Sequence, residues 1–252
     1  MGFYQLSGEE RRKLVEKIHS EILEGFKNNR KSSLLAYFSN EDTYVRKAAY
    51  LSTGKIYFLE ANLQEKILET LKLLLVHEHA AIRQTAVNAA GEIAMKDFRC
   101  VEFFFDTGLF DKHHAVRNAV IGSMKKSGER NPVPVLHWAK KYLHHPDKEI
   151  RREVCHGIEL RGRTHPQDIL PLLRELQNDR TSRVRNTLIH VIGQISYKKG
   201  CLGIVLEDLK SWNNTELVEE AIEEIIDVHE RYKNFSALTQ EEARKYISEN
   251  YG

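Results

Sequence analysis

Residues 179–195 read DRTSRVRNTLIHVIGQI and contain a signature that recurs along the chain, an aliphatic residue followed at once by arginine. The copies are Val45-Arg46, Ile82-Arg83, Val116-Arg117, Ile150-Arg151 and Val184-Arg185, and Val218-Glu219 keeps the spacing with reversed charge. They lie 37, 34, 34, 34 and 34 residues apart. A period of this length is typical of a solenoid, in which each unit is one supersecondary element stacked on the next.

Each copy also marks a helix with one apolar face. Counted from the aliphatic residue as position 0, apolar or small residues occur at +4, +7, +8 and +11. In the fifth copy they are Leu188, Val191, Ile192 and Ile195. This spacing predicts a helix packed on a core through one face. Glycine recurs near +9, at Gly54, Gly91 and Gly193, where it costs a helix about 1 kcal/mol against alanine and predicts close approach of a neighbouring helix.

Acidic residues precede most of these arginines in the turn that leads into the helix. Asp42 and Asp147 come four residues before the arginine, and Asp111 and Asp179 come six before. Each can cap its helix or pair with an arginine of its own or the next repeat. We therefore interpret five arginines as a structural ladder: Arg46, Arg83, Arg117, Arg151 and Arg185.

The repeated pairs, the preceding acids and phrases such as residues 179–195 resemble the HEAT and HEAT-like repeat family over about residues 30–235. The resemblance implies an all-α, armadillo-like fold: a right-handed α-solenoid of about six helical hairpins with capping helices. It also implies a binding or scaffold role, since that family mostly binds other molecules. We predict a single solenoid over residues 1–252, with a cap helix at 7–28, repeats at 31–235 and a C-terminal helix at 239–250.

The composition bears mainly on the compartment in which the protein is expected and on its relation to membranes. No run of about 18 apolar residues occurs, so we expect neither a transmembrane helix nor a membrane partner. The N-terminal residues lack the apolar core of a signal peptide. Cys100, Cys155 and Cys201 lie in separate repeats without a CxxC pair, which predicts reduced, mostly buried thiols in a cytoplasmic protein.

Charge is unevenly divided along the chain. Residues 112–199 carry 18 basic and 8 acidic residues, a net charge of +10, whereas residues 200–252 carry 5 basic and 12 acidic residues, a net charge of −7. Five ladder arginines do not account for the basic excess, although a solvated helical face would explain part of it. An asymmetry of this size predicts an acidic partner, either a protein or a nucleic-acid backbone.

The segment CHGIELRGRTHP, residues 155–166, departs from the repeat because Gly157 and Arg161 occupy positions that are apolar core in other copies. One interpretation is that this helix ends early, at Gly162. The other is that Arg161, Arg163 and His165 emerge on a functional loop.

The second helices of stacked hairpins line a concave surface, where positions +2 and +6 would form two rows. Row +2 contains Lys47, Gln84, Asn118, Arg152, Asn186 and Glu220, and row +6 contains Leu51, Asn88, Gly122, His156, His190 and Glu224. Our candidate partner-binding residues are Asn118, Lys126, Arg152, His156, Arg161, Arg163, Asn186 and His190. Ordinary solvated polar residues remain the alternative interpretation of these rows.

No catalytic or cofactor motif accompanies these residues. The sequence contains no GxSxG, P-loop or dinucleotide fingerprint, so we expect no catalytic residue, no cofactor and no small-molecule substrate. Among 12 histidines, His156 and His190 lie one repeat apart and would need a third ligand reaching inward. Nothing matches HExxH or zinc-ligand spacing, and metal binding is not expected.

Residues 116–132 and 168–200 also resemble the HEAT-like DNA alkylation repair proteins. That resemblance implies DNA binding and base excision by aromatic residues and a carboxylate on the concave face. Here Trp138 and Trp212 fall on or after first helices, and no tryptophan pair with a nearby aspartate occurs. We therefore predict a non-enzymatic binding or scaffold module for an acidic partner, with a DNA-binding protein of the glycosylase type as the alternative.

Overall fold

The computed structural model describes residues 2–251, and within that range every regular element is helical and no strand occurs. The predicted all-α class is confirmed. The chain divides into two compact units, Met1–Asn131 and Pro132–Gly252. The handedness of the solenoid and the number of its repeats stay predictions. Among the helices of the described range, none combines the length and the apolar character that crossing a bilayer requires.

The first unit is built from paired helices in two layers. Its helices are α1 (Gly8–Lys27), α2 (Lys31–Phe38), α3 (Thr43–Leu59), α4 (Gln64–Leu75), α5 (Ala80–Ala94), α6 (Glu102–Leu109) and α7 (His114–Arg130). Helices α3, α5 and α7 pack side by side, and each also packs on the first helix of its own hairpin, α2, α4 or α6. Helix α1 packs on α2 and α3, and its buried Ile18, Ile22 and Phe26 extend the core of the first hairpin.

The second unit repeats the layered arrangement. Its helices are α8 (Pro132–Lys140), α9 (Lys148–Gly157), α10 (Glu159–Gly162), α11 (Pro166–Glu175), α12 (Ser182–Gln194), α13 (Cys201–Leu209), α14 (Thr215–Arg231) and α15 (Gln240–Asn250). Helices α9, α12 and α14 form one layer, and α11 packs on α13 in the other. The apolar stripe of α12 that the sequence pattern predicted, which includes Leu188, Val191 and Ile192, is fully buried.

Close approach of second helices explains the recurrent glycines. A Cβ added at Gly54 would lie 2.5 Å from the Cβ of Glu92 in α5, and one added at Gly193 would lie 2.6 Å from the Cγ of Glu224 in α14. A Cβ added at Gly91 would likewise meet Ser123 in α7. Real Cβ atoms do not come this near, so the prediction of close helix approach at these positions is confirmed.

The second helix of the fourth hairpin is interrupted. Helix α9 ends at Gly157, Ile158 leaves the regular helix, and α10 runs only from Glu159 to Gly162. A Cβ at Gly162 would meet Ile169 of α11 and Ile195, so close packing selects glycine at the helix end. A helical segment ends at Gly162, as the first interpretation expected, but the regular helix is already interrupted at Ile158.

Candidate functional site

The second-helix face, the surface that α9, α12 and α14 present through their +2 and +6 positions, contains four of the eight predicted site residues: Arg152, His156, Asn186 and His190. His156 on α9 and His190 on α12 are neighbours, with ring centroids 6.3 Å apart. Asn186 is exposed one turn before His190. Asn118 and Lys126 belong to α7 in the first unit, where the Nζ of Lys126 lies 3.3 Å from Glu92 Oε1.

The arginines predicted to hold the partner are already engaged by carboxylates. Arg152 donates from Nε to Glu149 at 3.0 Å, and its Nη2 lies 3.4 Å from Glu153. Arg161 donates from Nε to Asp168 at 2.7 Å. The two side chains are only 26% and 16% exposed. The functional interpretation of residues 155–166 needs Arg161 as an unpaired cation, but the carboxylate of Asp168 neutralises its charge. Glu149 and Glu153 neutralise Arg152 in the same way.

Glu159 lies at the centre of a cluster that it forms with His156, His190 and Arg163. The sequence pattern did not identify it as a site residue. Its carboxylate is 2% exposed, and its Oε2 lies 3.2 Å from the Nε2 of His156. Its Oε1 accepts from the Nε of Arg163 at 2.9 Å, and Arg163 also donates to Gln194 Oε1 at 2.8 Å. The i,i+3 spacing of His156 and Glu159 was an available signal, but a helix broken at Ile158 obscures which face Glu159 occupies.

His190 contacts a second carboxylate on the other side of the cluster. Its Nδ1 lies 3.5 Å from Oε1 of Glu224 on α14, and Glu224 in turn accepts from Arg231 at 3.0 Å. Between α12 and α14 the face opens into a shallow groove of ≈ 650 Å³ that also exposes Glu220, Glu223 and Asp227. The +2 and +6 positions thus change from Arg152 and His156 on α9 to Glu220 and Glu224 on α14.

The His156, Glu159 and His190 side chains offer ligand atoms that all lie within 4.8 Å of one another. This set has the nitrogen and oxygen donors that Zn²⁺ accepts in proteins. Glu159 is the third, inward-reaching group that the two histidines were expected to need. The neighbouring Cys155 is not part of this set; its side chain is fully buried, and burial raises the pKa of its thiol far above the usual range.

The two tryptophans do not form an aromatic platform on this face. Trp138 is completely buried, and Trp212 is 5% exposed with its Nε1 donating to Asp208 at 2.7 Å. An exposed aromatic group lies instead in the first unit, where Phe3, Tyr4 and Tyr44 line a pocket of ≈ 490 Å³. This pocket could not be predicted from the sequence, because its residues are distant along the chain. The backbone N–H of Phe3 donates to Asp42, 39 residues away, at 2.6 Å.

The sequence matches no protein-family model, and no curated protein matches it. Similar solved structures include AlkD2 from Streptococcus mutans, 17% identical over 83% of this chain and 96% of that chain, with a TM-score of 0.47. YibA of Escherichia coli is 14% identical over 87% and 97%, with a TM-score of 0.37. An engineered protein is 15% identical over 77% and 94%, with a TM-score of 0.36. Similarity at this level carries no argument about what this chain binds.

Proposed function

We propose that the protein is a non-enzymatic helical-repeat binding module, and that the second-helix face of its second unit holds another protein. The observation that carries the proposal is the pairing of the arginines on and beside that face. Arg152, Arg161 and Arg163 each donate to at least one carboxylate of the same unit. A nucleic-acid backbone needs several cations free to replace its counterions. At these three positions a phosphate contact would first have to break an existing ion pair.

The distribution of charge along the face indicates which side chains a partner would carry. The α9 side carries Arg152 and His156, whereas the α14 side exposes Glu220, Glu223 and Asp227. A protein segment with basic side chains over α14 would match the exposed carboxylates there, whereas Arg152 at the α9 end is already paired with Glu149 and Glu153. Electrostatic complementarity of this kind selects partner and register more than it sets affinity. We therefore propose that the acidic partner expected from the net charge carries basic side chains where it meets α14.

The test is a charge reversal on the exposed edge of the face. We expect Glu223→Lys with Asp227→Lys to abolish retention of the protein captured by the parent chain on an affinity support. The matched control is Glu241→Lys with Glu249→Lys on α15, which changes the net charge equally. Each double variant removes one carboxylate that pairs with a basic residue four positions away, Asp227 with Arg231 and Glu249 with Lys245. The captured protein is then purified and titrated directly against all three chains.

Nucleic acid is the other outcome of the same test. A random-sequence duplex is titrated at several salt concentrations, since the log–log slope is about −0.9 for each phosphate neutralised. Tight duplex binding that weakens on Arg161→Ala with Arg163→Ala, together with a slope flattened by up to about two units, would replace the protein partner by a nucleic-acid backbone. Retention unchanged by the Glu223 and Asp227 reversal would remove this face as the binding surface.

A further inference from the structure

We propose that His156, Glu159 and His190 form a binding site for one divalent transition-metal ion of the Zn²⁺ class, with a coordination position open to solvent. The site lies within the second unit, on helices α9, α10 and α12. It is independent of the proposed protein partner, since nothing in the coordination set depends on what the face binds.

The geometry is near that of a metal site. Zinc bonds of about 2.0–2.2 Å to nitrogen and oxygen place the ligand atoms of a tetrahedral site about 3.3 Å apart. His156 Nε2 and Glu159 Oε2 are already 3.2 Å apart. All three ligand atoms lie within 4.8 Å of one another, so side-chain rotation of His190 would bring the third donor to the ion.

The groups around these ligands hold them in the way that outer-shell partners hold metal ligands. Arg163 donates its Nε to Oε1 of Glu159, which fixes the carboxylate and leaves Oε2 on the side of His156. On the other flank Glu224 Oε1 lies 3.5 Å from the Nδ1 of His190. At that distance Glu224 can accept a hydrogen bond from the Nδ1–H of His190 once the ring has turned to the ion, and such a pair orients a metal-binding imidazole and raises its basicity.

The donor set and its exposure select the class of metal. Two imidazoles and one carboxylate suit Zn²⁺, and also Ni²⁺ and Cu²⁺, better than Mg²⁺ or Ca²⁺, which prefer oxygen ligands throughout. The side chains of His156 and His190 are 37% and 41% exposed, so the ion has a route of entry and keeps a position for water or a partner's side chain. Three protein ligands with one open position is the pattern of zinc sites that remain accessible.

The test is calorimetric titration of the chelator-treated full chain with Zn²⁺. We expect one ion per chain, and visible ligand-field bands when Co²⁺ replaces it. His156→Gln or His190→Gln should each lower the affinity by about tenfold or more, the scale on which even outer-shell losses act. The control is His137→Gln with His144→Gln, which removes two exposed histidines of the same unit and should bind as the parent does.

A second measurement keeps the proposal testable should a variant fail to fold. Histidine side-chain NMR signals of the unmodified chain are followed during Zn²⁺ addition, and two of the 12 imidazoles should respond first and together. No binding by the parent, or equal binding by the parent and the His156→Gln, His190→Gln double variant, overturns the proposal. A stepwise response of many histidines without a preferred pair does so as well.

Discussion

Arg151 and Asp179, 28 residues apart, form a bidentate ion pair that joins helix α9 to the turn before helix α12. Nε and Nη2 of Arg151 donate to the two carboxylate oxygens at 2.6 and 3.1 Å, and Nη1 donates to the carbonyl of His145 at 2.8 Å. Arg83 and Asp111 repeat the arrangement in the first unit at the same separation. One guanidinium therefore closes the turn of its own hairpin and joins it to the next.

Removing this guanidinium should destabilise the fold. We expect Arg151→Ala to lower the free energy of unfolding by about 1–3 kcal/mol, because it leaves the Asp179 carboxylate and turn carbonyls without their donor. Urea unfolding followed by circular dichroism measures the loss. Arg183→Ala is the control, since that side chain is 65% exposed and its pair with Glu149 should contribute little. Equal unfolding midpoints for the two variants would contradict the ladder.

Acid should weaken the same pairs. Burial would raise the pKa of Asp179, but hydrogen bonds from Arg151 and Thr181 outweigh it and hold the pKa below its ordinary value. A carboxylate with a lowered folded pKa stabilises the fold above its unfolded pKa of about 3.9, and that stability is lost as the pH falls through the folded value. The unfolding free energy should therefore drop below about pH 4, and less steeply in Asp179→Asn. Identical slopes would show that Asp179 is not involved.

A buried histidine should add a second, milder pH dependence. His229 on α14 is 1% exposed with Nδ1 2.8 Å from the carbonyl of Ile225, and burial lowers its pKa despite that contact. The unfolded chain then binds a proton that the folded chain does not, so stability is complete above pH of about 6.5 and declines as the pH falls, by at most about 1.4 kcal/mol per pH unit.

Melting temperature measured from pH 7.5 to 5.0 would report this decline, and His229→Gln should flatten it. The control is His137→Gln, the same substitution at an exposed histidine of the second unit. The melting temperature of His229→Gln should still depend on pH to some extent, since burial and the charge of Lys55 also lower the pKa of His19. A parent chain equally stable across this range would contradict the prediction.

Two helical glycines should respond to alanine in opposite directions. A Cβ at Gly122 meets nothing within 4 Å, so Gly122→Ala should stabilise the chain by about 0.5–1 kcal/mol through helix propensity. A Cβ at Gly91 meets the side chain and the Cα of Ser123, so Gly91→Ala should destabilise it by about 1–3 kcal/mol. Thermal unfolding of the two variants gives both signs, and a stabilised Gly91→Ala would show that α5 and α7 separate at little cost.

Base excision should be absent. Trp138 and Trp212 are core residues, so neither can stack on a damaged nucleotide displayed on the second-helix face. Single-turnover incubation with alkylated DNA should release no free methylated base. Release that depended on residues of the second-helix face would instead establish the glycosylase alternative.

The repeat was readable from the sequence because the features that define it are local. Packing one face of a helix against a core imposes the spacing of Leu188, Val191 and Ile192, and successive hairpins impose the same spacing at steps of 37 and then 34 residues. Helix capping is local too, and the Ser7–Glu10 and Thr239–Glu242 capping boxes both form. The close approach at Gly193 could be predicted as well, because an unfavourable residue recurring inside a helix needs a packing reason.

Which charged side chains are paired could not be predicted from the sequence in this way. The net charge of +10 in residues 112–199 does not say which cations are free, and Arg161 and Arg163 are neutralised by Asp168 and Glu159. Likewise, the meeting of Glu159 with His156 and His190 depends on the break at Ile158 and on the register of α9 against α12. The pairing of a side chain is set by where neighbouring helices place their own side chains, and that is a property of packing in three dimensions rather than of periodicity along the chain.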